Sequence, residues 1–151
     1  GQTNNNNNNN NSGPGHTNAV TGLVKFTSNS KNFVLSSSLD GTVKAWDGSN
    51  GQCVGNQRHQ EGVLSICLIG DMNNKPCLLV GCESGSILLE NLEPTPKFPQ
   101  PFSTLVHLNS SNSYLHKKGV RGLCRGPSGT FYTSGDDGKV FVYQIIGDIG
   151  L

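Results

Sequence analysis

Three of the four histidines stand four residues ahead of a valine that opens an apolar run: His16/Val20, His59/Val63 and His116/Val120. About twenty residues after each valine, a glycine starts a short β-rich segment: Gly41–Trp46, Gly85–Glu90 and Gly138–Tyr143. The valines lie 43 and 57 residues apart. Recurrence at this length is the mark of a solenoid or a propeller, in which no unit buries its own apolar faces alone. Function in such an architecture belongs to a surface built from several units, and a single catalytic centre is the weaker expectation.

Composition supports an all-β reading. Glycine makes 20 of 151 residues, about twice its usual share, which allows for many turns. The formal net charge of +1 gives no overall field toward nucleic acid or anionic lipid. No stretch approaches the roughly 20 apolar residues of a membrane span, and no basic leader precedes an apolar segment. The chain starts at Gly1 and its only methionine is Met72, as expected of a piece of a longer protein. Its five cysteines, 53, 67, 77, 82 and 124, are odd in number and form no C-x-x-C pair. Most lie in or beside apolar runs, where free cysteine packs as a small hydrophobe. No zinc-ligand spacing is present, and no metal or cofactor is expected. Unpaired cysteines place the chain inside the cell, in cytoplasm or nucleus.

Residues 1–15, with the run Asn4–Asn11, have nothing apolar to bury and are expected to be a disordered tail. Short strands and turns follow. In the first unit, 16–57, Val20–Phe26 and Phe33–Ser37 flank a polar loop at 27–32, and Asp40-Gly41 is a hairpin signal. Thr42–Asp47 then alternates, with Val43 and Ala45 on one face and Thr42, Lys44 and Trp46 on the other. Gln52–Gly55 is a weak fourth strand. The second unit, 58–115, repeats the order with Val63–Ile69, a turn at 71–75, Cys77–Cys82 and Ser86–Glu90. Pro94, Pro96, Pro99 and Pro101 then make an insertion that cannot be a central strand, because proline lacks the ladder donor. Phe102–Leu108 resumes as the outer strand, and 109–115 is a polar loop. The third unit, 116–151, runs through Val120–Cys124, Phe131–Ser134 and Lys139–Gln144. Only Ile145–Leu151 remains, too short for a fourth strand, so this unit is read as a closing one, completed by a strand from elsewhere.

Within the first unit, His16, Ser36 or Ser38, Asp40 and Trp46 fall in the order Gly-His … Ser-x-Ser-x-Asp-Gly-Thr-Val-x-x-Trp-Asp. This resembles the WD-repeat family of β-propellers. The resemblance implies a hydrogen-bonded network of histidine, hydroxyl, turn aspartate and tryptophan, as part-buried polar groups require. The third unit offers His116, Ser134 and Asp137, with Tyr143 in the tryptophan's place. The second keeps His59 but has Ser84 for the aspartate and Glu90 for the tryptophan, so its network is expected to be broken. A narrower resemblance covers 59–145. His59-x-x-Gly-Val-Leu, Lys75-Pro76-x-Leu-Leu-x-x-Cys82 and Gly126-Pro127-Ser-Gly129-x-Phe-x-Thr-x-Gly135 look like the last blades of WD-repeat proteins that carry CCCH-type zinc fingers. The finger itself, three cysteines and a histidine in close spacing, is absent from this sequence.

The residue types of a serine hydrolase (His16, Ser38, Asp40) and of a cysteine hydrolase (Cys67 or Cys82 with His59) are both present. Recurrence argues against both, since a catalytic set is needed once, and no G-x-S-x-G elbow occurs. Asp136-Asp137-Gly138 lacks the further ligands of a calcium loop and reads as a turn. Pro96-x-x-Pro99 has the spacing of an SH3-type ligand, but a proline-rich insertion is the simpler reading.

The sequence therefore points to three antiparallel four-stranded blades of a partial propeller, the last lacking its outer strand, in a non-catalytic interaction scaffold. Its expected partners are other proteins and the missing propeller blades from the rest of a longer chain. Candidate contacts lie ahead of the first strands and on the turns between second and third strands: Asn18, Leu39, Glu61, Glu83, Lys118 and Asp136. The alternative is RNA or DNA association through a finger outside this chain. Lys117, Lys118, Arg121 and Arg125 form a small basic cluster, with no aromatic platform interleaved.

Overall fold

The computed structural model describes residues 15–72, 75–92, 103–108 and 114–145. The asparagine-rich tail up to residue 14, the middle of the 71–75 turn, the proline-rich insertion, residues 109–113 and residues 146–151 lie outside the described residues. Eleven strands are described: β1 (Val20–Ser28), β2 (Lys31–Ser38), β3 (Thr42–Asp47), β4 (Cys53–Arg58), β5 (Val63–Met72), β6 (Lys75–Cys82), β7 (Ile87–Asn91), β8 (Ser103–Leu108), β9 (Val120–Arg125), β10 (Thr130–Gly135) and β11 (Val140–Gln144). They form antiparallel sheets in the orders β1-β2-β3-β4, β5-β6-β7-β8 and β9-β10-β11, with no helix among the described residues.

Consecutive strands are neighbours throughout, so each sheet is a meander of local connections. The polar loop expected over 27–32 shrinks to a two-residue hairpin. Thr27 pairs with Asn32 and Ser28 with Lys31, leaving Asn29 and Ser30 at φ 48° and 61°. Two positive φ values match the right-handed twist of the flanking strands, and asparagine tolerates that region. Backbone pairing thus carries β1 and β2 past the last apolar side chain, where alternation gives no signal.

The sheets stack in chain order with two apolar layers between them. Phe33, Leu35, Val43 and Ala45 of the first sheet meet Ile66, Leu78, Val80 and Leu88 of the second. Ile69, Leu79, Ile87 and Leu89 of the second meet Val120 and Phe131 of the third. Each turn between second and third strands leans on the following unit. Gly41 has φ 86° and faces the carbonyls of His59 and Glu61; Gly85 has φ 97° and faces those of His116 and Lys118. A side chain at either position would be both strained and obstructed.

The repeat shows which flanks stay open. Val43 and Ala45, three and five residues after Asp40, are fully covered by the second sheet, and Ile87 and Leu89 are covered in the same way by the third. Their counterparts in the third unit, Val140 and Val142, are 71% and 63% exposed. On the opposite flank Leu23 is 67% exposed, whereas Ile66, seven residues after its histidine as Leu23 is after His16, is buried. The alternation of β3 would fit Val43 and Ala45 to an open flank as well as Leu23, but the second sheet lies on their side. Stacking direction, which alternation does not encode, decides this.

Candidate functional site

In the first unit the loop before β1 sets His16 over the face of the sheet that carries Ser36 and Trp46. Its Nδ1 lies 3.0 Å from Asp40 Oδ2 and its Nε2 2.6 Å from Ser36 Oγ. The Trp46 indole N–H donates to the same hydroxyl at 2.8 Å. The donors can order themselves: indole N–H to Ser36 oxygen, Ser36 O–H to Nε2, and Nδ1–H to the Asp40 carboxylate. Thr42 completes the cluster, donating to Asp40 through its hydroxyl at 2.6 Å and its amide at 2.8 Å. Burial acts to raise the Asp40 pKa. Hydrogen bonds from Thr42, from the Thr17 amide and from His16 outweigh it and hold the carboxyl well below the usual range. Ser38 does not reach the histidine: its hydroxyl donates to the Asn18 carbonyl and accepts from the Asp40 amide.

The third unit builds the same arrangement with one change from the expected set. His116 Nδ1 meets Asp137 Oδ1 at 2.9 Å, and its Nε2 meets Thr133 Oγ1 at 2.7 Å. Thr133, and not Ser134, supplies the hydroxyl. Ser36 precedes Asp40 by four residues, and Thr133 precedes Asp137 by four. Ser134 is one residue off, so the two-residue strand period turns it to the other face, where its hydroxyl lies against Gly122. Burial again acts to raise the Asp137 pKa, and bonds from His116 and from the Lys117 and Lys139 amides hold it down to about 2. Tyr143 takes the tryptophan's position, ten residues after the hydroxyl, but sends its O–H to the Tyr114 carbonyl at 2.6 Å and stacks on Phe131.

The second unit departs from the expected broken network. Val80 and Ser84 occupy the hydroxyl and aspartate positions, and Glu90 occupies that of the tryptophan. Glu90 is fully buried and its Oε1 is hydrogen-bonded to His59 Nε2. The other ring nitrogen, Nδ1, lies 3.2 Å from the Gly41 carbonyl on the preceding sheet. Ser84 is held instead by Glu61, its hydroxyl donating to Oε2 at 2.7 Å. The missing signal was a partner for the acid: spacing shows that Glu90 replaces the tryptophan, but not that its carboxylate can reach a histidine from the same place.

All six candidate contact residues lie along one rim of the stack. There the turn between second and third strands meets the segment ahead of the first strand: Leu39 N donates to Ala19 O, Glu83 N to Gly62 O, and Asp136 N to Gly119 O. Glu83 also accepts from the Gly62 amide, and Asp136 takes Arg121 Nε at 2.8 Å. Lys118 and Asn18 are exposed on this rim. Among the described residues no group of three His, Cys, Asp or Glu is placed to hold a metal ion. Burial, followed by the charges of Glu61, Glu90 and Glu83, pushes the Cys82 thiol up to about 12, so it is no nucleophile near neutral pH.

The sequence pattern of the WD domain, G-beta repeat, matches residues 8–47 and 109–144, about half the chain. The chain belongs to the WD-repeat family. The two matched stretches are the units with an intact histidine–hydroxyl–aspartate set, and the unmatched unit is the one rebuilt around Glu90. Among curated proteins, this WD-repeat chain is 32% identical over 100 residues to zinc finger CCCH domain-containing protein 48 of Arabidopsis thaliana. It is 29% identical over 100 residues to zinc finger CCCH domain-containing protein 63 of the same plant. Each match covers 66% of this chain and only about a fifth of the relative. Among solved structures, the computationally designed protein Ika8 aligns with a TM-score of 0.60 and 26% identity, over 87% of this chain and 35% of that one.

The energies of these networks follow from position. Asp40→Ala is expected to cost about 1–3 kcal/mol, because it removes the acceptor shared by His16, the Thr17 amide and the Thr42 amide and hydroxyl. Ser84→Ala removes only a hydroxyl on the exposed rim and is expected to cost clearly less. Denaturant melts of the two variants make the comparison, and equal losses would contradict the assignment of roles.

Proposed function

We propose that this chain is a non-catalytic interaction scaffold, contributing three blades to a larger WD-repeat propeller and docking protein partners on the rim that carries Asn18, Leu39, Glu61, Glu83, Lys118 and Asp136. The observation that carries the reading is the convergence of all six on one edge, where backbone bonds between turn and loop repeat from sheet to sheet. A rigid edge with side chains of both charges suits selective protein recognition. The open flanks at Leu23 and at Val140 and Val142 are, in this reading, faces for further blades. The odd number of cysteines, with no C-x-x-C pair, accords with action inside the cell, in cytoplasm or nucleus.

The test is affinity capture with the protein bearing Glu83→Lys, Lys118→Glu and Asp136→Lys together. Loss of partners captured by the wild type, with unchanged melting, is the expected result. Retention of every partner by the rim variant would overturn the assignment. A second reading, RNA or DNA association, draws on the relatives named for CCCH zinc fingers. Against it, Arg121 of the basic cluster is already paired with Asp136. Single-stranded RNA binding that weakens steeply with salt, and that is lost on charge reversal at Lys118 and Arg125, would favour it.

A further inference from the structure

The three histidines share a place in the repeat but not a hydrogen-bonding state. His116 faces one carboxylate and one hydroxyl, and His16 one carboxylate and the hydroxyls of Ser36 and Thr42; a hydroxyl can donate, so a neutral ring can satisfy either set. His59 faces the Gly41 carbonyl on one side and the Glu90 carboxylate on the other. A carbonyl and an ionised carboxylate only accept, so with Glu90 ionised both ring nitrogens carry protons.

We propose that His59 is an imidazolium clamp joining the first two blades, and that its deprotonation at alkaline pH loosens the seam between them. The ring lines a cleft of about 420 Å³ between the sheets, with Gln57, Arg58, Gln60, Glu61, Cys82 and Leu88. Its two bonds end on different sheets: Gly41 belongs to the turn after β2, and Glu90 to β7. The charged groups around it are Glu90 from β7, Glu61 from its own loop and Arg58 from β4; Cys82 on β6 stays protonated. Glu90 Oε2 has no hydrogen-bond partner among the described residues. Among the described residues Glu90 therefore depends on the His59 ring alone, and with Glu90 ionised the loss of that proton removes the compensation of a buried carboxylate.

Burial acts to lower the His59 pKa, but the Glu90 hydrogen bond and charge, the Gly41 carbonyl and Glu61 together raise it. A raised pKa stabilises the fold fully below the unfolded value of about 6.5, and the gain disappears as pH rises through the folded value.

Two measurements on the full chain test the clamp. In ¹⁵N NMR at pH 7, the His59 ring, assigned by its disappearance in His59→Gln, is expected to show both nitrogens protonated. A neutral ring, including one whose proton has passed to Glu90, overturns the proposal. In thermal melts, Tm of the wild type relative to His59→Gln is expected to fall by about 2–4 °C as pH rises through the transition. Parallel profiles for the two proteins overturn it.

Discussion

Replacing His59 with leucine is expected to lower stability by about 3–5 kcal/mol, the cost of leaving one member of a buried ion pair without the other. Glu90 is fully buried, and its second oxygen already lacks a partner among the described residues, so no described residue is placed to take over from the imidazole. The double variant His59→Leu/Glu90→Leu is expected to recover most of the loss. Removing both charges also removes the desolvation penalty of each, and buried pairs replaced by apolar residues are often neutral in effect. Denaturant melts of both variants and the wild type decide the matter. Equal losses in the single and double variants would show that the His59–Glu90 contact carries no charge pairing.

Truncation at two equivalent valines is expected to give opposite results. Val43→Ala should cost about 2 kcal/mol, since the side chain is enclosed between the first and second sheets and its removal leaves a cavity. Val140→Ala should stay within about 0.5 kcal/mol, because that side chain faces solvent. The same exposure predicts self-association. Val140 and Val142 at one end and Leu23 at the other form apolar surface of the kind that drives contact between copies. Sedimentation of the chain is expected to show mass rising with concentration, and Val140→Glu with Val142→Lys to suppress it without lowering the melting midpoint. A wild-type chain that stays monomeric at all concentrations, with a single sharp transition, would mean that these flanks are covered within the molecule.

Much of the fold was legible because a propeller blade is a chain of local hairpins. The Asp-Gly turn at 40–41, the alternation of Thr42–Asp47 and the prolines after Glu90 each report on a few neighbouring residues, and the repeat supplied the registration between units. The hydroxyl of the third network was legible too. Ser36 and Ser38 both stand an even number of residues before Asp40, and before Asp137 only Thr133 keeps that spacing with a hydroxyl; reading Ser134 instead set residue type above strand period. Ser36 and Ser38 could not be separated that way. Two residues apart on one strand they share a face, and only the distance to His16 tells them apart.

The sequence by itself determined the three repeating units, their strand order and the histidine–aspartate pairing of the first and third. The units and the strand order follow from local periodicity and turn chemistry, and the pairing is what the resemblance to WD repeats implies. Only the tertiary structure decided which side of each sheet its neighbour covers, and hence why Val43 is enclosed and Val140 is not. It alone decided that His59, which spacing makes a copy of His16 and His116, faces a carbonyl and a carboxyl group and no hydroxyl. The reason is physical: a ring's protonation depends on what both its nitrogens face, and for His59 those acceptors come from two sheets, 18 residues before it and 31 after.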